Sequence, residues 1–232
     1  MAIKTCRIFI VLPFFLFACM DASYAAQAAF ISGARISSAQ IAVPSLVTDP
    51  CAGKSIGQAC DGTLALYGGT NYANLVPTDK YMVTPGGCAG ADLTHPTCAG
   101  GANNDTVILK WANNSGTTAY NVVTGAASET DGVFNTNKLT TLSPFYTDTD
   151  AAKYCQDMVY SGYNDWYLPA KKEVNDVLYN NKDAIKGFST YYYWSSTETS
   201  GYGAEYQYFS NASQGTTGKT DLFAHIRCVR KY

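Results

Sequence analysis

Hydrophobic positions change texture three times along the chain. Ile8 to Met20 is an apolar run without charge, interrupted by Pro13. Lys4 and Arg7 precede it, and the small residues Ala22, Ser23, Ala25 and Ala26 follow. The run is short for a bilayer span and reads as an export leader, residues 1–25, cleaved after Ala25. Lipidation at Cys19 is the alternative, against which the bulky Phe17 counts. Residues 26–50 are weakly patterned and read as a linker or an N-terminal strand. No other segment is long and apolar enough to cross a membrane.

Residues 51–146 alternate Gly/Thr/Asn-rich sequence with short apolar bursts at Thr63–Tyr67, Lys80–Val83, Val107–Trp111 and Tyr120–Val123. Gly, Pro or Asn bounds each burst, which predicts short strands joined by long turns. From about residue 147 the period becomes helical. Thr147, Asp148 and Asp150 offer N-caps, and Ala151, Ala152, Cys155, Met158 and Val159 form an apolar stripe that Gly162 would stop. Pro169 opens a second helix, with Val174, Val177 and Leu178 on one face. Three strand-like runs follow, at Tyr191–Thr197, Ala204–Ser210 and Ala224–Val229. Two helices followed by an antiparallel sheet make an α+β pattern.

Cysteine usage fits the leader. Beyond residue 25 the chain keeps Cys51, Cys60, Cys88, Cys98, Cys155 and Cys228. An even set in an oxidising compartment suggests disulfides, with 15 possible connectivities. Spacing favours Cys51 with Cys60 and Cys88 with Cys98 as short loops, which leaves Cys155 for Cys228. A zinc site lacks any C-x-x-C pair and enough His.

Composition narrows the function. Of 232 residues, 47% are hydrophobic and 15% charged, with 18 Tyr and 20 Gly, which excludes disorder over the whole chain. The formal net charge of -2 argues against nucleic acid as a partner. Losing the leader, with Lys4, Arg7 and Asp21, leaves a net of -3. Only His95 and His225 occur, and G-x-S-x-G, H-E-x-x-H and P-loop motifs are absent, so no enzyme is expected. A glycosidase pair such as Glu198 with Glu205 has no support in spacing. No cofactor is expected. Calcium is weighed at Asn164–Asp165, Asp148/Asp150 and Asp131/Asn135/Asn137, where turn and cap roles serve equally well.

Several short motifs stand in order: Tyr154-Cys155, Gly162-Tyr163-Asn164-Asp165-Trp166-Tyr167-Leu168-Pro169, Lys172-Glu173-Val174, Tyr193-Trp194-Ser195-Ser196-Thr197-Glu198 and Arg227-Cys228-Val229-Arg230. Over about residues 105–232 the chain resembles the C-terminal domain family of the Legionella collagen-like adhesin, and Asn135-Thr136 resembles an extended form of that domain. The resemblance implies an exported or surface protein with a C-type-lectin-like fold. It also implies a disulfide from the first helix to the last strand, in agreement with Cys155 and Cys228. Some relatives are adhesins for sulfated glycans; others look like diversified receptor-binding proteins. Members generally carry no enzymatic assignment. Relatives often have an aromatic where Glu205 stands and Gly where Ala212 stands. The negative net charge sits poorly with a sulfated ligand unless Lys219, Arg227, Arg230 and Lys231 make a local positive patch.

The candidate surface is Tyr-rich. Alternation in Glu205–Phe209 puts Tyr206 and Tyr208 on one face and Gln207 and Phe209 on the other. With Phe209 in the core, the two tyrosines face out, and Tyr suits recognition by its large rigid area and polar tip. Tyr191–Tyr193, among them Tyr192, and Tyr202 would extend the surface, with Asn211 and Gln214 adding hydrogen-bonding groups. Trp166 and Trp194 are expected in the core. Residues 51–104 read as a disulfide-pinned extension and 105–232 as the lectin-like domain. The reading is an exported, non-catalytic recognition or adhesion module at the cell surface or outside the cell. Its partner would be an extracellular protein or glycan, with self-association open. The alternative is an assembly component of the envelope or a pilus, with the same face as a protein interface.

Overall fold

A computed structural model describes residues 48–86, 105–112, 121–141, 150–221 and 224–232, and the backbone of strand segments at 5–11, 14–20, 88–89 and 97–98. Two compact units result, Met1–Val47 and Thr48–Tyr232. In the first, β1 (Thr5–Val11) pairs antiparallel with β2 (Phe14–Met20). Two strands alone are marginal in water. The expected cleavage point after Ala25 and residues 26–47 lie outside the described residues.

The second unit mixes helices with antiparallel and parallel strands. Its N-terminal part holds β3 (Leu66–Thr70), β4 (Lys80–Val83), the pair β5 (Cys88–Ala89) and β6 (Thr97–Cys98), and β7 (Ile108–Leu109). Then come α1 (Gly132–Thr141) and α2 (Asp150–Gln156). A continuous helical run follows, as α3 (Lys171–Glu173), a π turn (Val174–Leu178), a 3-10 turn (Tyr179–Asn181) and α4 (Lys182–Ile185). The C-terminal strands are β8 (Tyr192–Glu198), β9 (Gly203–Tyr208), β10 (Gln214–Gly218), β11 (Ala224–His225) and β12 (Val229–Lys231).

The main sheet runs β10-β9-β8-β11-β7, with β11 parallel to β8. Its central strand β8 is buried from Tyr193 to Glu198. Successive side chains of a strand point to opposite faces, so the sheet serves two cores. Tyr193, with Phe209 just past the end of β9, packs on Val174, Val177, Leu178 and Ile185 of the helical run. Trp194 and Ala204 pack with Trp111, Ala151, Ala152, Cys155 and Met158. Trp111, Trp166 and Trp194 are all buried, and each indole N–H finds a backbone oxygen.

Four local expectations need correction. The C-terminal run Ala224–Val229 is not one strand. β11 joins the main sheet, and β12 crosses to β4 in a second sheet ordered β12-β4-β3. The chain bends at Ile226–Cys228, where Cys228 bonds Cys155. Next, α2 ends at Gln156, so Val159 is exposed. Gly162 closes a tight turn rather than the helix. Ser161 and Gly162 have φ 54° and 80°, and Tyr160 and Tyr163 exchange backbone hydrogen bonds of 2.9 and 3.0 Å. Two positive φ values are what a two-residue hairpin with strand-matching twist demands. Third, α1 was not expected at all. Its buried side is Gly132, Asn135, Thr136 and Leu139, a mostly polar stripe with no apolar period to read. Last, the burst Thr63–Tyr67 enters its strand only at Leu66, and Asn121–Val123 forms no strand.

Disulfides Cys51–Cys60 and Cys155–Cys228 are present, with Cα atoms 4.5 and 5.5 Å apart. The second closes 73 residues of sequence, worth about 4 kcal/mol in the chain-entropy account. Cys88 and Cys98 stand directly opposite in the β5–β6 register, and their side chains lie outside the described residues.

Candidate functional site

Strand β9 carries the candidate surface. Its burial alternates as the sequence pattern requires: Glu205, Gln207 and Phe209 are buried, while Tyr206 and Tyr208 are half-buried. In the β8–β9 register Tyr192 faces Tyr208 and Trp194 faces Tyr206. Three tyrosines therefore meet on one face. The Tyr192 ring stacks on Tyr208 at 4.6 Å and meets Tyr206 edge-on at 5.0 Å. Such pairs are worth about 0.5–1.5 kcal/mol beyond area burial and fix the rings in place. Across the ladder from Tyr206 stands Gly215 of β10, where a Cβ would come within 2.8 Å of the Tyr206 hydroxyl. A residue without a side chain lets the ring lie flat there. Among the described residues the hydroxyls of Tyr192, Tyr206 and Tyr208 take no hydrogen bond. The result is a packed aromatic shelf with three polar tips that no described residue engages.

The other candidates do not all join it. Tyr202 is exposed, but in the β8–β9 turn at the far end of the hairpin from Tyr192 and Tyr208. Six residues of strand separate it from Tyr208, about 20 Å. Gln214 pairs with Gln207 in register and so lies on the opposite, helix-side face. Its side-chain amide donates to the Gln207 side chain (3.1 Å) and to the Lys171 carbonyl (3.2 Å). Asn211 lies in the β9–β10 turn near Tyr208, where its Oδ1 accepts from the Ser213 N–H and hydroxyl at 3.1 and 2.8 Å. Tyr191 is exposed beside His225, whereas Tyr193 is buried and belongs to the core.

Buried polar groups hold this sheet in place, and sequence reasoning missed their roles. The β8 register slips between Trp194 and Glu198, and the hydroxyls of the slipped segment bind inward. Ser195 donates to the Glu205 carbonyl, Thr197 accepts from the Lys171 N–H and donates to the Ser128 carbonyl, and Ser196 accepts from Asn135. Glu198 accepts the Thr124 and Gly125 N–H groups and pairs at 2.5 Å with Lys219, which is fully buried. Glu173 is fully buried where three elements meet. It accepts from Ala170 N–H (2.8 Å), Gly132 N–H (3.1 Å), Tyr167 (3.0 Å) and Tyr81 (3.4 Å). Burial pushes its carboxyl up to about 7, against the pull of those donors and Lys231. Gly132 is required there, because a Cβ would come within 2.5 Å of the Glu173 carboxylate. The signal available in sequence was the pairing of a polar motif with aromatic neighbours, which has no period to detect.

Charge around the shelf also differs from expectation. The suggested positive patch does not form. Lys219 pairs with Glu198, Arg227 is buried on Asp105 at 2.9 Å, and Arg230 binds both oxygens of Asp165 at 2.7 and 2.8 Å. Lys231 bridges Asp79 and Asp131, each at 3.3 Å. Three of the calcium candidates have partners within the protein. Asp131 caps α1 through the Phe134 N–H, Asn135 is buried in hydrogen bonds, and Asp165 holds Arg230. Asp148 lies outside the described residues. Among the described residues no group of three or more His, Cys, Asp and Glu is placed to hold a metal. Glu205 pairs with Lys171 at 3.0 Å and Glu198 with Lys219, so the two carboxylates sit in separate ion pairs. Burial keeps His225 below the usual histidine range, hence neutral.

Fold and surface together define a disulfide-stapled α+β module with an aromatic shelf on one sheet face. The chain belongs to the Lcl C-terminal domain family, whose match covers residues 102–230, more than half of the chain. Membership points to a surface or secreted module, and the disulfides are compatible with that location. No curated protein matches the chain by sequence. No helix among the described residues is long and apolar enough to cross a membrane.

Proposed function

We infer that the protein is an exported, non-catalytic recognition module with a C-type-lectin-like fold, and that it binds an extracellular protein or glycan through Tyr192, Tyr206 and Tyr208. One observation carries this reading: three locked rings share a face and leave their hydroxyls without partners among the described residues. Preordered rings lose little entropy on binding, and open hydroxyls supply direction. The ligand is neutral or weakly charged, because Lys219, Arg227 and Arg230 are spent on internal carboxylates. No cofactor takes part. An assembly role is the second reading, favoured by the position of the shelf beside β10, which pairs with β9 alone among the described residues.

The test is binding of the oxidised protein to an array of glycans and matrix proteins, beside a Tyr206→Ala/Tyr208→Ala double variant. Specific binding lost in a folded variant supports the module and its site. Self-association lost in the same variant, without binding to the array, supports assembly. Binding retained in the variant refutes the site.

A further inference from the structure

The helical run behind the sheet contains a second feature, remote from the tyrosine shelf. Its π turn, Val174–Leu178, is an uncommon geometry that recurs at functional sites. Asn181 stabilises it, donating its side-chain amide to the Asp176 and Val177 carbonyls at 2.8 and 3.1 Å and to the Tyr72 hydroxyl at 3.0 Å. Both amide hydrogens are then spent, and the Asn181 side-chain oxygen remains as an acceptor. The loop after β3 faces this turn. Between them lies an open cavity of about 390 Å³ lined by Tyr72, Ala73, Asn74, Asp176, Asn180 and Asn181.

Asp176 is the unusual member. It is 6% exposed, and its two oxygens accept only neutral amides, from Asn74 at 2.9 Å and Asn175 at 2.7 Å. Among the buried acids, Glu198 has Lys219, Asp105 has Arg227 and Glu205 has Lys171, whereas Glu173 and Asp176 are held by neutral donors, and of these two only Asp176 lines the cavity. No Lys, Arg or His among the described residues pairs with Asp176. Nor does the helix N-terminus compensate, since Asp176 sits beyond the first turn, where the dipole has faded. A carboxylate this buried is ordinarily paired. Here the missing positive charge has a cavity to occupy.

We propose that this cavity is a second binding site, for the alkylammonium group of a small aminated ligand. Asp176 is the counter-ion, and the side-chain oxygens of Asn74 and Asn181 are flanking acceptors. Calcium fits less well, because it takes six to eight oxygens and relies on several carboxylates. The cavity volume lies within the range of small-ligand sites.

Glucosamine, glucose, N-acetylglucosamine, putrescine and calcium chloride would each be titrated into the full chain, with amide and side-chain resonances followed by NMR. Glucosamine is expected to shift the Asn74 and Asn181 signals, and the two neutral sugars are not. An equal response to putrescine would define any alkylammonium as ligand; none would confine the site to aminated sugars. Asp176→Asn should weaken glucosamine at least about 10-fold, as expected for loss of a charged hydrogen-bond acceptor. Asn74→Ala, on an exposed loop, should weaken it severalfold and serves as the variant of record if Asp176→Asn does not fold. Silence towards both amines would overturn the proposal. So would equal binding of glucose, tighter binding of calcium, or affinity unchanged in either folded variant.

Discussion

Two faces of one strand follow opposite rules in this molecule. On the helix side of β9, the polar residues Glu205 and Gln207 are buried and fully engaged, Glu205 with Lys171 at 3.0 Å and Gln207 with Asn175 at 3.0 Å. On the other side, the more apolar Tyr206 and Tyr208 remain half-open. Residue polarity alone would have assigned these faces the other way round. The helix side is an internal joint that ties the sheet to the helical run, and its polar groups are satisfied by the protein itself. The tyrosine side has its rings packed and its hydroxyls unclaimed by the described residues. What marks a working surface here is unspent hydrogen-bonding capacity on rigid groups, rather than exposure or polarity.

Substitutions can break that contrast. The largest effect is expected from Phe209→Ala, since Phe209 fills the helix-side core against Tyr193, Tyr179 and Phe188. It should cost about 3–5 kcal/mol in denaturant unfolding. Next comes Glu173. Its folded pKa of about 7 lies above its ordinary 4.5, so its protonated form is favoured by folding. Its contribution is full below pH 4.5 and is lost as pH rises through 7, a span of about 3 kcal/mol. Thermal unfolding followed across that range should show this slope, and Glu173→Gln should flatten it. On the open face, Tyr206→Ala and Tyr208→Ala should each cost about 1–2 kcal/mol, from their ring contacts and the apolar area they half-bury. A cost equal to that of Phe209→Ala would make the shelf an ordinary core. The smallest change concerns the turn beside it. Ala212 has φ 67°, a left-handed conformation costly for a residue with a Cβ. Ala212→Gly should raise stability by less than about 1 kcal/mol in the same unfolding measurement, part of the relief being offset by chain entropy.

That turn also shows how far the sequence could be read. The Gly that the family resemblance leads one to expect at position 212 would suit the positive φ that Ala212 adopts. The helical stripe through Ala151, Ala152 and Cys155 and the burial of Val174, Val177 and Leu178 were legible because apolar periodicity reports one buried face, and the Cys155–Cys228 bond was legible from cysteine spacing and the family resemblance. So was the separation of Tyr206 and Tyr208 from the face of Gln207 and Phe209, although both tyrosines are half-buried rather than turned fully outward. Helix α1 was not legible, because Asn135 and Thr136 occupy its buried side through hydrogen bonds. The division of the last strand was hidden too. Whether Ile226–Cys228 continues or turns depends on the distant strands β4 and β8 that compete for its two ends. Nor could alternation show that Tyr202 and Gln214 leave the shelf, since turn position and register across strands set both.

The most direct test of the account sets Tyr206→Ala/Tyr208→Ala against Tyr202→Ala on whichever array ligand the native protein binds. Tyr202 is exposed at the opposite end of the same hairpin and is therefore the matched control. The account predicts binding lost in the double variant and retained in Tyr202→Ala, with both proteins folded. Retention in the double variant, or equal loss in both, would contradict it.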